Sequence, residues 1–111
     1  VPYLLLAKRS DDIQGLALDD EMTMGYTLKT LSAAIWCLYH TESFQEGLLA
    51  VVNAGGDADT NAAVACSLLG AKYGFNSISP YYVDNLRRKS LLDKVTDDLL
   101  DILCQDIQIV C

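Results

Sequence analysis

The sequence predicts an all-α protein built as a bundle of helices. Three observations favour this class: apolar side chains recur at three- and four-residue steps, helix start and stop signals bracket those stretches, and no run of residues is strong enough to build a β-sheet. The chain has 111 residues, of which 51% are hydrophobic, so it can bury a core. We expect residues 1–111 to form a single all-α domain.

The first 24 residues carry the weakest helical signals. Val1–Ala7 is apolar and is followed by Lys8 and Arg9, which is typical of the end of a helix. Residues 14–23 include the acidic run Asp19-Asp20-Glu21. With no histidine, cysteine or glycine framework nearby, this run predicts a solvated helix start or loop rather than a metal site.

The next two helices have clear boundaries. From Gly25 to about His40 an apolar stripe predicts a buried amphipathic helix, and a histidine is favoured at its C-terminal end by the helix dipole. Ser43 to Glu46 matches a capping box and predicts a second helix from Phe44 to about Val52. The predicted stripe consists of Leu28, Leu31, Ile35 and Leu38, widened by Ala33, Ala34 and Trp36.

Three further helices are predicted downstream. Residues 60–73 form an alanine-rich helix ended by Gly74, and Ser79-Pro80 is a start signal for a helix over 81–88. The last helix runs from about Ser90 to Cys104, and the tail that follows it could be a short strand or a frayed end. Small groups are expected to face a neighbouring helix at Ala62, Ala63, Cys66, Leu69 and Gly70, and leucine and valine side chains to face inward at Leu91, Leu92, Val95, Leu99 and Leu103.

Charge and hydropathy exclude some classes of partner. The chain has 15 acidic and 8 basic residues, for a formal net charge of -7, which argues against a nucleic acid or an anionic membrane as the main partner. No apolar run approaches the ~20 residues of a spanning helix. Residues 1–7 are too short for a signal peptide and lack its basic start. We therefore expect a cytoplasmic protein without a membrane partner.

The stretch from Asn53 to Thr60, Asn-Ala-Gly-Gly-Asp-Ala-Asp-Thr, combines residues that few structural needs require together. In a tight turn permitted by the two glycines, the carboxylates of Asp57 and Asp59 can converge beside the Thr60 hydroxyl. Mg²⁺ takes about six oxygen ligands but usually only one or two carboxylates. The stretch can therefore supply part of a cation site at a helix start, where free amides also suit a phosphate or hydroxyl.

A purely structural interpretation of the same stretch stays open. Asp59 or Thr60 could cap the following helix, the two glycines could end the preceding one, and Asp57 could be a solvent-facing turn residue. Short acidic motifs arise often by chance, so the surrounding sequence has to decide.

The region from Gly25 to Arg88 resembles the C-terminal part of the ADP-ribosylglycohydrolase family, the all-helical hydrolases that include the dinitrogenase reductase-activating glycohydrolase. This resemblance makes the chain either a single all-α domain or the C-terminal part of a larger all-α domain. It is carried by Gly25-Tyr26, Ser43-Phe44 with Glu46, Val52 through Thr60, and Leu68 through Ala71 with Tyr73-Gly74.

The resemblance implies a hydrolase that binds two Mg²⁺ ions, or Mn²⁺, at the distal ribose of an ADP-ribosyl group. Its substrate would be an ADP-ribosylated protein or a small ADP-ribosyl conjugate. By position, Asp57 and Asp59 would be catalytic, with Asp59 bridging both ions. The implied metal ligands are Asp57, Asp59 and Thr60, and the implied ADP-ribose side of the site is Asn53, Gly55 and Gly56, with Asn53 bracing the turn.

The chain also departs from the family pattern. Family members are much longer, and the other half of their metal site is an upstream Thr/Ser-Asp-Asp-Thr-type motif. Thr96-Asp97-Asp98 lies downstream, on the polar side of the last predicted helix, and is expected to be solvated. We expect half of a dinuclear site here, completed by a second chain or an upstream segment. The alternative is a catalytically incomplete helical remnant that acts as a binding or interaction module.

Overall fold

A computed structural model describes residues 2–107 of the chain, and their side chains as far as residue 105. The described residues form six α-helices and two short 3₁₀-helices and contain no β-strand, which confirms the all-α prediction. The α-helices are α1 (Pro2–Arg9), α2 (Thr27–His40), α3 (Phe44–Asn53), α4 (Ala58–Tyr73), α5 (Pro80–Asp84) and α6 (Lys89–Ile107), and the 3₁₀-helices are Ile13–Leu16 and Phe75–Ser77. None of these helices combines the length and apolar character needed to cross a membrane.

The chain divides into two compact units, Val1–Ile78 and Ser79–Cys111. In the first unit α2 packs against α1 and α4, and α3 packs against α4. Its core is built largely from small and medium side chains, so the helices approach closely. The core residues are Ala7, Ile13, Leu16, Leu18, Ala33, Ala34, Trp36, Cys37, Phe44, Val51, Ala54, Ala65 and Leu69.

The buried face of α2 includes Ala33, Ala34 and Trp36 of the predicted stripe but not its leucines. Leu31 is exposed, and Leu28, Ile35 and Leu38 are only half-buried. The positions of α2 that pack inward are mostly small or polar. Small side chains at these positions let α2 pack against both α1 and α4. The inward positions are Lys29, Thr30, Ser32, Ala33, Ala34, Trp36 and Cys37.

Two side chains of α2 attach the N-terminal helix to it. The Trp36 indole Nε1–H donates to the Ser10 carbonyl at 2.8 Å. His40 is the last residue of α2, as predicted; its ring stacks on Trp36 with centroids 5.0 Å apart, and its Nε2 lies 3.0 Å from the Ala7 carbonyl. Because a carbonyl oxygen only accepts, Nε2 carries the proton. The role of His40 is therefore structural.

Helix α3 begins at the predicted capping box. The Ser43 hydroxyl accepts from the Glu46 amide at 3.1 Å, and the Glu46 carboxylate accepts from the amide of Glu42 at 2.8 Å. These contacts satisfy amides that have no partner within the helix. The helix runs from Phe44 to Asn53 and so confirms the predicted segment.

Gly47 of α3 lies in close contact with α4. A Cβ added there would overlap the Cδ1 atom of Leu69, which is fully buried. The predicted small-group face of α4 is confirmed at Leu69, which is buried, and at Ala62 and Cys66, which pack against the core, but it is wrong at Ala63, which is exposed, and at Gly70, which has open space around it. The buried face is Asn61, Ala65 and Leu69, one residue per helical turn.

Cys37 lies against the same contact. Its thiol donates to the Gly47 carbonyl at 3.7 Å. Burial, and to a smaller extent the neighbouring Cys66, raises the pKa of the Cys37 thiol to about 12. At neutral pH the group stays protonated and packs as a small apolar side chain.

The second unit consists of α5 and α6. Helix α5 starts at Pro80, as the Ser-Pro signal predicts, but ends at Asp84 rather than Arg88. Arg88 itself has a left-handed φ of 58° and directly precedes α6. The leucine and valine side chains of α6 that were expected to face inward are exposed by 38% or more. The tail predicted as strand or frayed end is helical through Ile107, and residues 108–111 lie outside the described part.

Gly47→Ala should destabilise the protein, whereas Gly70→Ala should not. The new methyl group at position 47 meets a buried side chain, and overpacking of this kind costs about 1–3 kcal/mol. At position 70 nothing lies within 4 Å, so alanine should add about 0.5–1 kcal/mol through its better helix propensity. Urea denaturation followed by circular dichroism measures both changes in the free energy of unfolding. Equal effects at the two positions would contradict the packing described here.

Candidate functional site

The turn between α3 and α4 is made by two glycines with positive φ. Gly55 has φ 79° and Gly56 has φ 68°, a region that residues with a Cβ rarely adopt. The Gly55 amide donates to the Val52 carbonyl at 3.3 Å as the chain leaves α3. Two left-handed residues in succession turn the chain sharply and place Asp57 directly before α4.

Gly56 also lies close to the backbone of the acidic segment at Leu18. A Cβ added at this position would fall on the carbonyl group of Leu18. At Gly55 the nearest atom to an added Cβ is the Asp19 Cβ at 3.6 Å, an ordinary contact. The turn therefore needs glycine at position 56 for both conformation and space, and at position 55 for conformation alone.

The two carboxyl groups of the turn lie next to each other. A hydrogen bond with Asp57, and then the nearby amides of Thr60 and Asp59, lower the pKa of the Asp59 carboxyl. Asp57 occupies the cap position of α4 without a side-chain capping bond. Asp59 and Thr60 lie inside the first turn of the helix, so neither is the N-cap residue of the structural interpretation.

An open cleft of about 320 Å³ runs past these carboxyl groups, lined by Met24, Gly25, Gly56, Asp57 and Asp59. Gly25 has φ 82°, and a Cβ added there would lie 3.6 Å from Asp57 Oδ2. Two glycines and two carboxylates thus form a surface where a polar ligand can approach the backbone.

A second open cleft of about 490 Å³ shares Met24 and Gly25 with the first. Tyr3 and Tyr26 line it and meet edge to face, with ring centroids 5.7 Å apart. The carboxylate cleft is therefore flanked by an aromatic and thioether surface, which Met22 and Thr23 also line.

One wall of the first cleft belongs to a segment that we call the acidic loop, residues 17–25. Asp20 organises it: its carboxylate accepts from the Met22 amide at 3.0 Å and from the Thr23 hydroxyl at 2.8 Å. Its acidic residues are exposed, as predicted, but Leu18 is buried. Sequence reasoning missed that this loop contributes to the cleft, and the only signal was the glycine at position 25.

Asn61 is a second residue that sequence reasoning missed. It is buried in α4, and its side-chain oxygen accepts from the Thr30 hydroxyl at 2.8 Å. The backbone N–H of Asn61 donates to the Asp57 carbonyl at 2.9 Å. The bond from Thr30 attaches the first turn of α4 to α2. A single amide side chain in an alanine-rich helix, one turn after Asp57, is the signal that could have identified it.

The remaining predicted positions are solvent-facing. Thr60 is exposed in the first turn of α4. Asn53 is exposed at the end of α3, and within the described chain its side chain makes no hydrogen bond to the turn. Asp97 is exposed on α6, and Asp98 there pairs with Lys94 at 2.6 Å. The exposure of these residues confirms the prediction that the Thr96-Asp97-Asp98 motif lies on a solvated face of α6.

The site has part of the donor set that a divalent cation needs. Among the described side chains, no group of three or more histidine, cysteine, aspartate or glutamate residues could hold a metal ion. Asp57 and Asp59 supply two carboxylates, and the Thr60 hydroxyl lies in the same turn. Since Mg²⁺ takes about six oxygen ligands, these residues fit half of a site.

The sequence pattern of the ADP-ribosylglycohydrolase family matches residues 4–108. The chain therefore belongs to this family, and the match extends beyond the Gly25–Arg88 region that carried the resemblance.

Three relatives show the range of similarity. The ADP-ribosylarginine hydrolase Tri1 of Serratia proteamaculans is 28% identical over 99 residues, which cover 89% of this chain and 27% of the relative. The enzyme of the same name from Pseudomonas putida is 32% identical over 83 residues, 75% of this chain and 22% of the relative. The ADP-ribosyl-[dinitrogen reductase] glycohydrolase of Rhodospirillum rubrum is 36% identical over 64 residues, 58% of this chain and 22% of the relative.

The chain thus spans about a quarter of the length of the curated relatives that it matches. No solved structure matches it.

Gly56→Ala should destabilise the protein more than Gly55→Ala. Both substitutions place a Cβ at positive φ, which costs about 1–2 kcal/mol. Only the change at position 56 also pushes the Leu18 backbone away, which should add about 1–3 kcal/mol. Thermal unfolding of both variants measures the difference. A Gly56→Ala protein as stable as Gly55→Ala would show that the two backbones are not in contact.

The acidic loop should lose its order at low pH. The Thr23 hydroxyl first, then the Met22 amide and Lys29, hold the pKa of Asp20 below its ordinary value of 3.8. Because the pKa of Asp20 is lowered, its carboxylate stabilises the folded loop fully above the pKa that it has in the unfolded chain. This stabilisation is lost as pH falls through the pKa of Asp20 in the folded protein. The protection of the Met22 amide against hydrogen exchange, relative to the intrinsic rate at each pH, should therefore persist at about pH 5 and fall below about pH 3.8. In Asp20→Asn this pH-dependent step should disappear, and its persistence would assign it to another group.

Proposed function

We propose that this chain forms part of a metal-dependent hydrolase that removes ADP-ribose from a modified protein side chain or a small ADP-ribosyl conjugate. It would supply half of a dinuclear Mg²⁺ site. The observation that carries the proposal is the adjacent pair of carboxyl groups, Asp57 and Asp59, on an open cleft in a chain of this family.

The carboxyl pair suits a cation because both groups lie at the start of α4 and line the same cleft. Two adjacent carboxylates repel unless a proton or a cation lies between them. Asp57, Asp59 and Thr60 would be the ligands from this chain, and Asp59 would serve both ions. Mg²⁺, or Mn²⁺ with the same preference for oxygen, would orient the ribose hydroxyls and lower the pKa of a bound water.

The backbone around the carboxylates suits the sugar. Gly25 and Gly56 line the cleft without side chains, so a ribose can approach the peptide groups. The start of α4 adds free amides and the positive end of the helix dipole on the same side. Gly55 and Asn53 complete the proposed ADP-ribose side, with Gly55 holding the turn.

The remaining ligands must come from other residues. Two carboxylates and a hydroxyl leave a shell of about six oxygens unfilled, and the chain matches only about a quarter of its relatives. We propose that a second chain or an upstream segment completes the site. Because two relatives are named ADP-ribosylarginine hydrolases, arginine-linked ADP-ribose is the substrate to test first.

A second candidate is a binding module without catalysis. Large apolar side chains are exposed in the first unit, among them Tyr39, Leu49 and Val52 at 61%, 43% and 44%. A large exposed apolar patch marks an interaction surface, and these side chains are the candidates for one in the first unit. In this case the chain would bind a partner or ADP-ribose without cleaving it.

The deciding experiment incubates the protein, and a longer form that includes the upstream reading frame, with an ADP-ribosylated arginine peptide and Mg²⁺. Released ADP-ribose is measured by mass spectrometry. Asp59→Asn should lower the rate by at least ~100-fold, since it removes charge that binds the ions. Asp97→Asn makes the same chemical change on the solvated face of α6 and should have no effect.

Release that survives Asp59→Asn unchanged would contradict the assigned role of this residue. Binding of ADP-ribose without release, by either form of the protein, would favour the binding module.

A further inference from the structure

Lys29 has an unusual environment for a lysine. It lies in α2 and is only 8% exposed, although lysine is almost never fully buried unless it is paired. Its ammonium group donates to the Ala17 carbonyl and lies 3.7 Å from Asp20 Oδ2. Both partners belong to the acidic loop, so a buried positive charge lies directly beneath this segment.

Lys29 binds the loop at its first residue. Ala17 has a left-handed φ of 49°, a conformation that is uncommon for a residue with a Cβ. The same Ala17 carbonyl also accepts from the Asp20 amide at 3.2 Å. The ammonium thus holds the carbonyl that also accepts from the amide of Asp20.

The loop transmits this placement to the cleft at two points. Just after Ala17, the Leu18 carbonyl lies where a side chain on Gly56 would be. Further along, the Met24 amide donates to the Asp20 carbonyl at 2.8 Å, and Met24 and Gly25 line the cleft beside the carboxylates.

We propose that Lys29 is a positioning residue of the site, which holds the acidic loop against Gly56 and so sets the distance between the Met24–Gly25 wall and the two carboxylates. Lys29 does not line the cleft, so it is not a catalytic residue. The identity of the ligand in the cleft rests on the proposed function, whereas the role of Lys29 in placing the loop does not depend on it.

The test compares Lys29→Met, which keeps the length of the side chain without its charge, with Lys29→Arg, which keeps the charge. Lys72→Met is the matched control, because Lys72 also donates to a backbone carbonyl of α2, that of Leu38 at 2.8 Å. Lys72 lies in the last turn of α4, about 20 Å along the helix from Asp59 at 1.5 Å per residue.

The first readout is the set of backbone amide signals in ¹H–¹⁵N spectra. Lys29→Met should shift or broaden the signals of Met24, Gly25 and Gly56 while that of Leu69 stays in place. Lys29→Arg should restore most of the pattern, and Lys72→Met should leave it unchanged. The second readout is calorimetric titration with ADP-ribose in Mg²⁺, where Lys29→Met should weaken binding by roughly 10-fold.

Unchanged signals at Gly25 and Gly56 in a folded Lys29→Met protein would overturn the proposal. If Lys29→Met does not fold, Asp20→Asn leaves the lysine in place and weakens its loop partner, and the same signals should move. If the unmodified protein binds no ADP-ribose, the proposed function fails, and the amide signals still decide the role of Lys29.

Discussion

The backbone contact between Gly56 and Leu18 is the constraint on which the candidate site depends. No side chain fits between these two segments, so the turn after α3 and the acidic loop meet directly through peptide groups. One consequence is that Asp57 and Asp59 face a cleft whose opposite wall comes from residues 24 and 25. Another consequence is that α2 and α4 must keep a fixed position relative to each other, because α2 directly follows the acidic loop and α4 directly follows the turn. The buried bond from Thr30 to Asn61 provides this relation at the level of the site.

Local signals in the sequence predicted the helices well. The capping box at Ser43 and the proline at position 80 start helices as expected, since such signals depend on neighbouring residues alone. The buried faces were harder to predict. Periodicity shows where apolar residues recur, but it does not show how closely two helices pack. At Gly47 the Leu69 side chain occupies the space that a Cβ would need. The buried faces of α2 and α4 follow from this close packing and contain mostly small or polar residues. A stripe of leucines is the expected core only when helices are spaced for large side chains.

The candidate site was predictable to the extent that it is local. Gly55, Gly56, Asp57 and Asp59 lie within five residues of each other, and their turn could be inferred from the conformational freedom of glycine and the charge of the carboxylates. The acidic loop and Lys29 reach the site from about 30 or more positions away, and the partner of the Asn61 side chain, Thr30, lies 31 positions before it. The spacing of residues within one helix or turn cannot predict contacts between segments so far apart in the sequence. Lysine and asparagine in amphipathic helices are ordinarily exposed, so burial of these two could be learned only from the structure.

The attachment of α1 has a consequence for how the rim of the second cleft can evolve. Trp36 and His40 both bind main-chain carbonyls, those of Ser10 and Ala7, and a carbonyl is present whatever residue carries it. The N-terminal helix can therefore exchange side chains over generations without losing these two bonds. Tyr3 lies on that helix and lines the aromatic cleft beside the carboxylates. The rim of the aromatic cleft can thus change its chemistry while the fold beneath it stays the same.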